Sequence, residues 1–196
     1  ESELSIALLD AKKSLNNVSN ENTNIDALNL LAMRLLMWQA QHELLTGKSP
    51  ALTLEAGLKT VEQALRSKPA DAHLHATQAL LLSISGQAQG MAAGAAQTFA
   101  TARSAAEKAL ELAPTAVDGH EALAEVLRHA SAWEIAGPQN AASKKRVAAQ
   151  LERALVACEA GLSLSPKRAP LIGTKGALLL LHRGEVVPAE FRAQFL

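Results

Sequence analysis

Aromatic residues are nearly missing: no Tyr, three Phe and two Trp make up 3% of the chain. With 48% of residues apolar, an interior must then be built from Ala and Leu. Those are strong helix formers, and the aromatic and β-branched residues that strands favour are scarce. Cysteine is nearly absent too, and the single Cys158 excludes an internal disulfide or a multi-cysteine zinc site. Charge of one sign is not in excess, because nineteen Lys and Arg balance nineteen Asp and Glu. That removes any broad attraction to nucleic acid or acidic membranes, so charge-guided recognition has to be local. No apolar run approaches the roughly 18 to 20 residues that span a bilayer; the longest candidate is Ala177 to Leu181, between Lys175 and His182. These absences lead to the expectation of a cytoplasmic chain without membrane insertion. Because it begins at Glu1 rather than Met, it is also expected to be a piece of a longer polypeptide.

What is present is helix punctuation. Ser2 can cap a leading helix over 2–17, closed by the polar stretch Asn16 to Asn24. From Asn24 an apolar stripe through Leu28, Leu31, Leu35, Trp38 and Leu45 runs at helical spacing to Gly47. Trp38 reads as core on that stripe. Ser49 and Pro50 start the next helix, as an oxygen cap followed by a proline at the first helical position. The same signals give helices over 71–85, 95–112, 116–131, 140–164 and 168–183, with a short last one over 188–195. Nothing reads as a strand.

The helices repeat. Three segments end alike, before Pro69, Pro114 and Pro166, and superposing these prolines superposes Leu65, Leu110 and Leu162. It also aligns the small residues Ala64, Ala109 and Gly161. Downstream, Ala79, Ala124 and Gly176 fall together, as do Leu82, Leu127 and Leu179, and these read as packing positions. The pattern resembles the tetratricopeptide repeat family, in which helix pairs carry a small residue at their crossing and end in a proline. The prolines are 45 and 52 residues apart, however, against about 34 in that family. The extra residues fall at 86–98 and 132–143, where they lengthen the helices or the loop between them. His75, His120, Leu82 and Leu127 stand in place of the customary aromatics. The array is also similar to those at the C-terminal end of bacterial multidomain signalling proteins, serine/threonine kinases included.

The resemblance implies an all-α fold, an α-α superhelix of about eight or nine helices stacked as antiparallel pairs. A single domain is expected over 1–196, with pairs over 24–68, 71–113, 116–165 and 168–196 behind the leading helix. Such stacks curve and offer a concave groove to a protein or peptide. Mapped onto this chain, the groove residues are His73, Ala76, Leu80 and Ile84 from one repeat and Asp118, Glu121, Glu125, Arg128 and His129 from the next. Asp118, Glu121 and Glu125 share a helix face and suit a basic peptide; the plainer reading is a solvated acidic face near a helix N-terminus. The family's carboxylate clamps use Lys and Asn where Ala76 and Leu80 stand, which argues against that specificity here.

Other candidates reduce to packing or solvation. His73 and His75 point to different helix faces, and His120 and His129 are nine apart, so no metal pair forms. Cys158 reads as a small buried hydrophobe. Lys144, Lys145, Arg146 and Arg153 read as a solubilising helix start, and Gly86, Gly90 and Gly94 as a flexible linker. Trp133, beside Gly137 and Pro138, is a candidate anchor for a partner. Phosphate-binding glycine loops, nucleophile elbows and kinase motifs are missing, so neither a cofactor nor catalysis is expected of this segment. The leading expectation is a protein-binding scaffold in a larger signalling chain. The alternatives are a helical enzyme with a pocket between its long helices, or self-association through an end helix such as 187–196.

Overall fold

The computed structural model describes residues 25–182, and among them lie seven helices and no strand. They are α1 (Ile25–Leu45), α2 (Ala51–Ser67), α3 (Ala72–Ala88), α4 (Ala95–Leu112), α5 (Val117–Ala136), α6 (Ala141–Leu164) and α7 (Ala169–His182). The helices expected over 2–17 and 188–195 lie outside the described residues.

The repeat seen in the sequence is also a repeat of backbone geometry. α2, α4 and α6 each stop just short of the residue that precedes a proline, a position where helical dihedrals are sterically disfavoured. Lys68, Ala113 and Ser165 accordingly adopt nearly the same conformation, with φ of −135°, −144° and −143° and ψ of 69°, 84° and 84°. Their amides donate to the carbonyls of Ala64, Ala109 and Gly161, the aligned small residues. In two of the three turns a histidine completes the motif: His75 and His120 each donate from Nε2 to the carbonyl of Pro69 or Pro114, at 2.8 and 2.9 Å.

Helix starts follow the sequence with one exception. Asp71 caps α3 by accepting from the amides of His73 and Leu74, and Asn140 forms a capping box with Ser143. At α2 the oxygen cap expected of Ser49 is not made; Pro50 is itself the cap residue and no side chain bonds there. The extra length relative to a short repeat goes mainly into the helices, since α3 runs on to Ala88 and α5 to Ala136. Gly86 is therefore no linker. It lies buried inside α3, where a Cβ would stand 2.8 Å from the ring of Phe99 on α4. Gly90, with φ of +55°, makes the turn instead.

Each helix packs on the next in the chain, and α1 also packs on α3, α3 on α5 and α5 on α7. The even-numbered helices make no comparable contact with one another. Small residues make the close approach possible: Ala79, Ala106, Ala109, Ala122 and Ala124 are fully buried between α3, α4 and α5. The equivalence fades at α7, where two expected packing positions are corrected. A Cβ added at Gly176 would meet no neighbouring atom within 4 Å, and Leu179 is 44% exposed, against 2% for Leu127. α7 is the last of the described helices.

Candidate functional site

The odd-numbered helices form one face, and α5 puts its three carboxylates on it at the spacing the sequence shows. Each is already engaged. Asp118 lies 3.2 Å from Arg34 Nη2 on α1, 2.9 Å from His73 Nδ1 on α3 and 2.8 Å from Arg168 Nη2 just before α7. Glu121 accepts from Arg168 Nε at 2.7 Å. Glu125 accepts from Arg128 at 2.6 Å and from the hydroxyl of Thr174 on α7. The acidic face therefore ties four helices together from within, and it is not an open row of charges awaiting a basic segment.

Electrostatics follow burial. The Glu121 carboxyl is raised above its ordinary range by burial, and the hydrogen bond and charge of Arg168 offset only part of this. For Glu125 burial acts in the same direction, but the charges of Arg128 and His129 and the bonds from Thr174 and Arg128 outweigh it and hold the group low. Arg168 is pushed up, first by its bond to Glu121.

His129 requires a correction. It does not face a groove; it is 7% exposed, packed between α3 and α5. Its Nδ1 lies 2.8 Å from Ser83 Oγ and 2.9 Å from the side-chain amide of Gln87, and Arg128 donates to Nε2. A guanidinium can only donate, so Nε2 accepts from Arg128. Burial, and then the charge of Arg128, pull the imidazole down to about 3. Arg128 is occupied on both sides by Glu125 and His129. Ile84, at 5% exposed, is core rather than groove lining, while Ala76, at 2%, belongs to the wall of a small pocket beside Trp38.

The two tryptophans exchange the roles expected of them. Trp133 is partly buried, donates its indole N–H to the Gly90 carbonyl at 2.8 Å and meets the ring of Phe99 at 6.1 Å. It is a strut between α5 and the α3–α4 turn. Trp38 is 57% exposed. It stands with Met37, Leu80 and Pro170 around a pocket of about 230 Å³, on the face where Leu80 is expected, and Arg34 and Arg168 rim that pocket.

Two other hollows exist. One of about 1060 Å³ opens widely beside the α1–α2 turn, where Lys48, Lys59, Glu55 and Glu62 form no ion pair with one another. The other, about 300 Å³, lies over Phe99 and Trp133, where Arg146 is paired to Glu134 at 2.8 Å. Arg153, of the same basic cluster, is paired to Glu107 at 2.7 Å. Cys158 is fully buried, and its thiol is pushed up to about 11, chiefly by burial. Among the described residues no group of His, Cys, Asp or Glu is placed to hold a metal ion, and no helix is long and apolar enough to cross a membrane.

Comparisons with protein-family models, curated proteins and solved structures find no match to this chain. Arg34, Met37, Trp38, Arg168, Pro170 and Thr174 are not legible as site residues in the sequence. They come from α1 and from the start of α7, and only the stacking of odd helices on one another brings them to α5.

Proposed function

We propose that this chain is a protein–protein interaction module, a tetratricopeptide-like stack whose odd-numbered helices line a concave face that holds a segment of another protein. Trp38 carries this reading. A large, rigid aromatic left mostly exposed beside a preformed apolar pocket is the commonest kind of anchor point at a protein interface. The pocket supports a side chain rather than a metabolite, since about 230 Å³ falls below the roughly 300 to 1,000 Å³ of small-molecule sites. The larger hollow at the α1–α2 turn is lined by Lys48, Glu55, Lys59 and Glu62 but by no aromatic side chain, so size alone does not favour it. The wider expectation of a signalling chain around the module rests on the resemblance of the repeats.

The test is a random-peptide display selection against the immobilised chain, with every selected peptide re-measured on Trp38→Ala. Peptides seated in the pocket lose about tenfold or more in affinity while the circular dichroism melt is unchanged. Selected peptides that bind both proteins equally contradict the assignment. A second reading, association of two copies, is favoured by Ile172, Leu179 and Leu180, all at least 44% exposed on α7. Light scattering across concentrations separates the two, because a constant monomer mass removes it.

A further inference from the structure

The charges around the pocket are layered. Asp118 and Glu121 are the inner layer, with side chains 21% and 13% exposed, and the groups bonded to them lie outside: Arg34 at 41%, Arg168 at 33% and His73 at 55%. A carboxylate can only accept and a guanidinium can only donate. An arriving segment therefore meets N–H donors, although the sequence of α5 alone advertises acceptors. Among the described residues Arg34 commits only Nη2, to Asp118, so most of its planar fork is left over. Arg34 and Arg168 approach the same carboxylate on different oxygens, Oδ2 and Oδ1, and both guanidinium groups line the pocket. The same pocket is lined by Trp38, Met37, Leu80 and Pro170, with Asp118 and Glu121 also in its wall.

We infer that the segment this face accepts is acidic: an internal Asp or Glu adjoining a large apolar residue, its carboxylate on Arg34 and Arg168 and its apolar neighbour on Trp38 and Leu80. This rests on the pocket being the binding site, and it reverses the sign of partner suggested by Asp118, Glu121 and Glu125 in the sequence. Planar guanidinium groups pair with carboxylates through two parallel bonds, and at this pocket they are more exposed than the carboxylates of Asp118 and Glu121 that an ammonium would need.

The experiment uses the full chain and a random dodecapeptide library with blocked ends. Enriched peptides carry Asp or Glu within two positions of Leu, Met, Ile or Phe. Individual peptides are then titrated by Trp38 emission in a Trp133→Phe background. Exchanging the peptide's Glu for Gln, or Arg34→Gln in the protein, weakens binding about fivefold or more, and raising ionic strength from about 0.05 to 0.5 M weakens it similarly. Arg34→Gln is the informative variant, because Arg168 also secures Glu121 and its loss would disturb the stack.

Enriched peptides that are basic or show no acidic bias, yet still need Trp38, overturn the inference and leave the interaction function standing. An empty selection, or binding indifferent to Trp38→Ala, removes both the inference and the pocket assignment.

Discussion

Arg34 and Asp118 are separated by 84 positions in the chain, yet the guanidinium Nη2 of one lies 3.2 Å from the carboxylate of the other. The pair reaches from α1 over α3 to α5, and the same carboxylate takes Arg168 from the start of α7. Asp118 is thereby a shared node for the odd-numbered helices. Asp118→Asn removes the charge that Arg34 and Arg168 share while keeping the shape. Because Arg34 is 41% exposed and solvent screens it, the expected loss is modest, about 1–2 kcal/mol by urea unfolding, with most of it from Arg168. No change in the midpoint would show that the node is ornamental.

Gly86 and Gly173 are both helical glycines, and they are expected to respond to Ala with opposite signs. At Gly86 a Cβ meets the Phe99 ring at 2.8 Å, and Phe99 is itself buried, so Gly86→Ala destabilises by about 1–3 kcal/mol. At Gly173 nothing lies within 4 Å, so Gly173→Ala gains up to about 1 kcal/mol from helix propensity. Thermal melts of the two variants decide; equal shifts would contradict the packing described for α3 and α4.

The tryptophans can be told apart by quenching. Acrylamide quenches Trp38 in a Trp133→Phe chain severalfold more efficiently than Trp133 in a Trp38→Phe chain, since Trp38 is 57% exposed and Trp133 is held by Gly90 and Phe99. The reverse order would return both residues to the places expected from the sequence.

Acid stability is expected to turn on His129. Its folded-state value is depressed to about 3 from an ordinary 6.5, so below pH 6.5 the unfolded chain takes up a proton that the folded chain refuses. This group's contribution is complete above pH 6.5 and is lost as pH falls toward 3, by about 1.4 kcal/mol per pH unit. Glu125, held low, loses its contribution in the same direction at lower pH, and Glu121, raised, works the opposite way. Urea midpoints measured from about pH 7 to 5 should fall, and His129→Gln should flatten that slope even if it lowers the plateau. An unchanged slope in the variant would assign the acid sensitivity elsewhere.

Much of the fold is legible in the sequence because its signals are local. A residue before proline is disfavoured in helical dihedrals, and Asp71 and Asn140 cap the helices that follow them. The ends of α2, α4 and α6 therefore coincide in both sequence and backbone. The site is legible only in part. The acidic spacing on α5 and the placement of Leu80 follow from helical periodicity, but which charge lies outermost depends on Arg34 and Arg168, and no local rule links those to Asp118. Trp38 misleads for a similar reason: an apolar stripe identifies a face that can be buried, not one that is covered. His129 errs the other way, as Ser83 and Gln87 on α3 give a buried imidazole partners that α5 alone does not reveal.

If a partner sits on the face made by α1, α3, α5 and the start of α7, hydrogen–deuterium exchange of the chain with and without a selected peptide maps it directly. Added protection is expected around residues 34–38, 76–80 and 168–172, with the α1–α2 turn and the even-numbered helices unchanged. Protection confined to residues 44–62, or to α4 and α6, would contradict the placement.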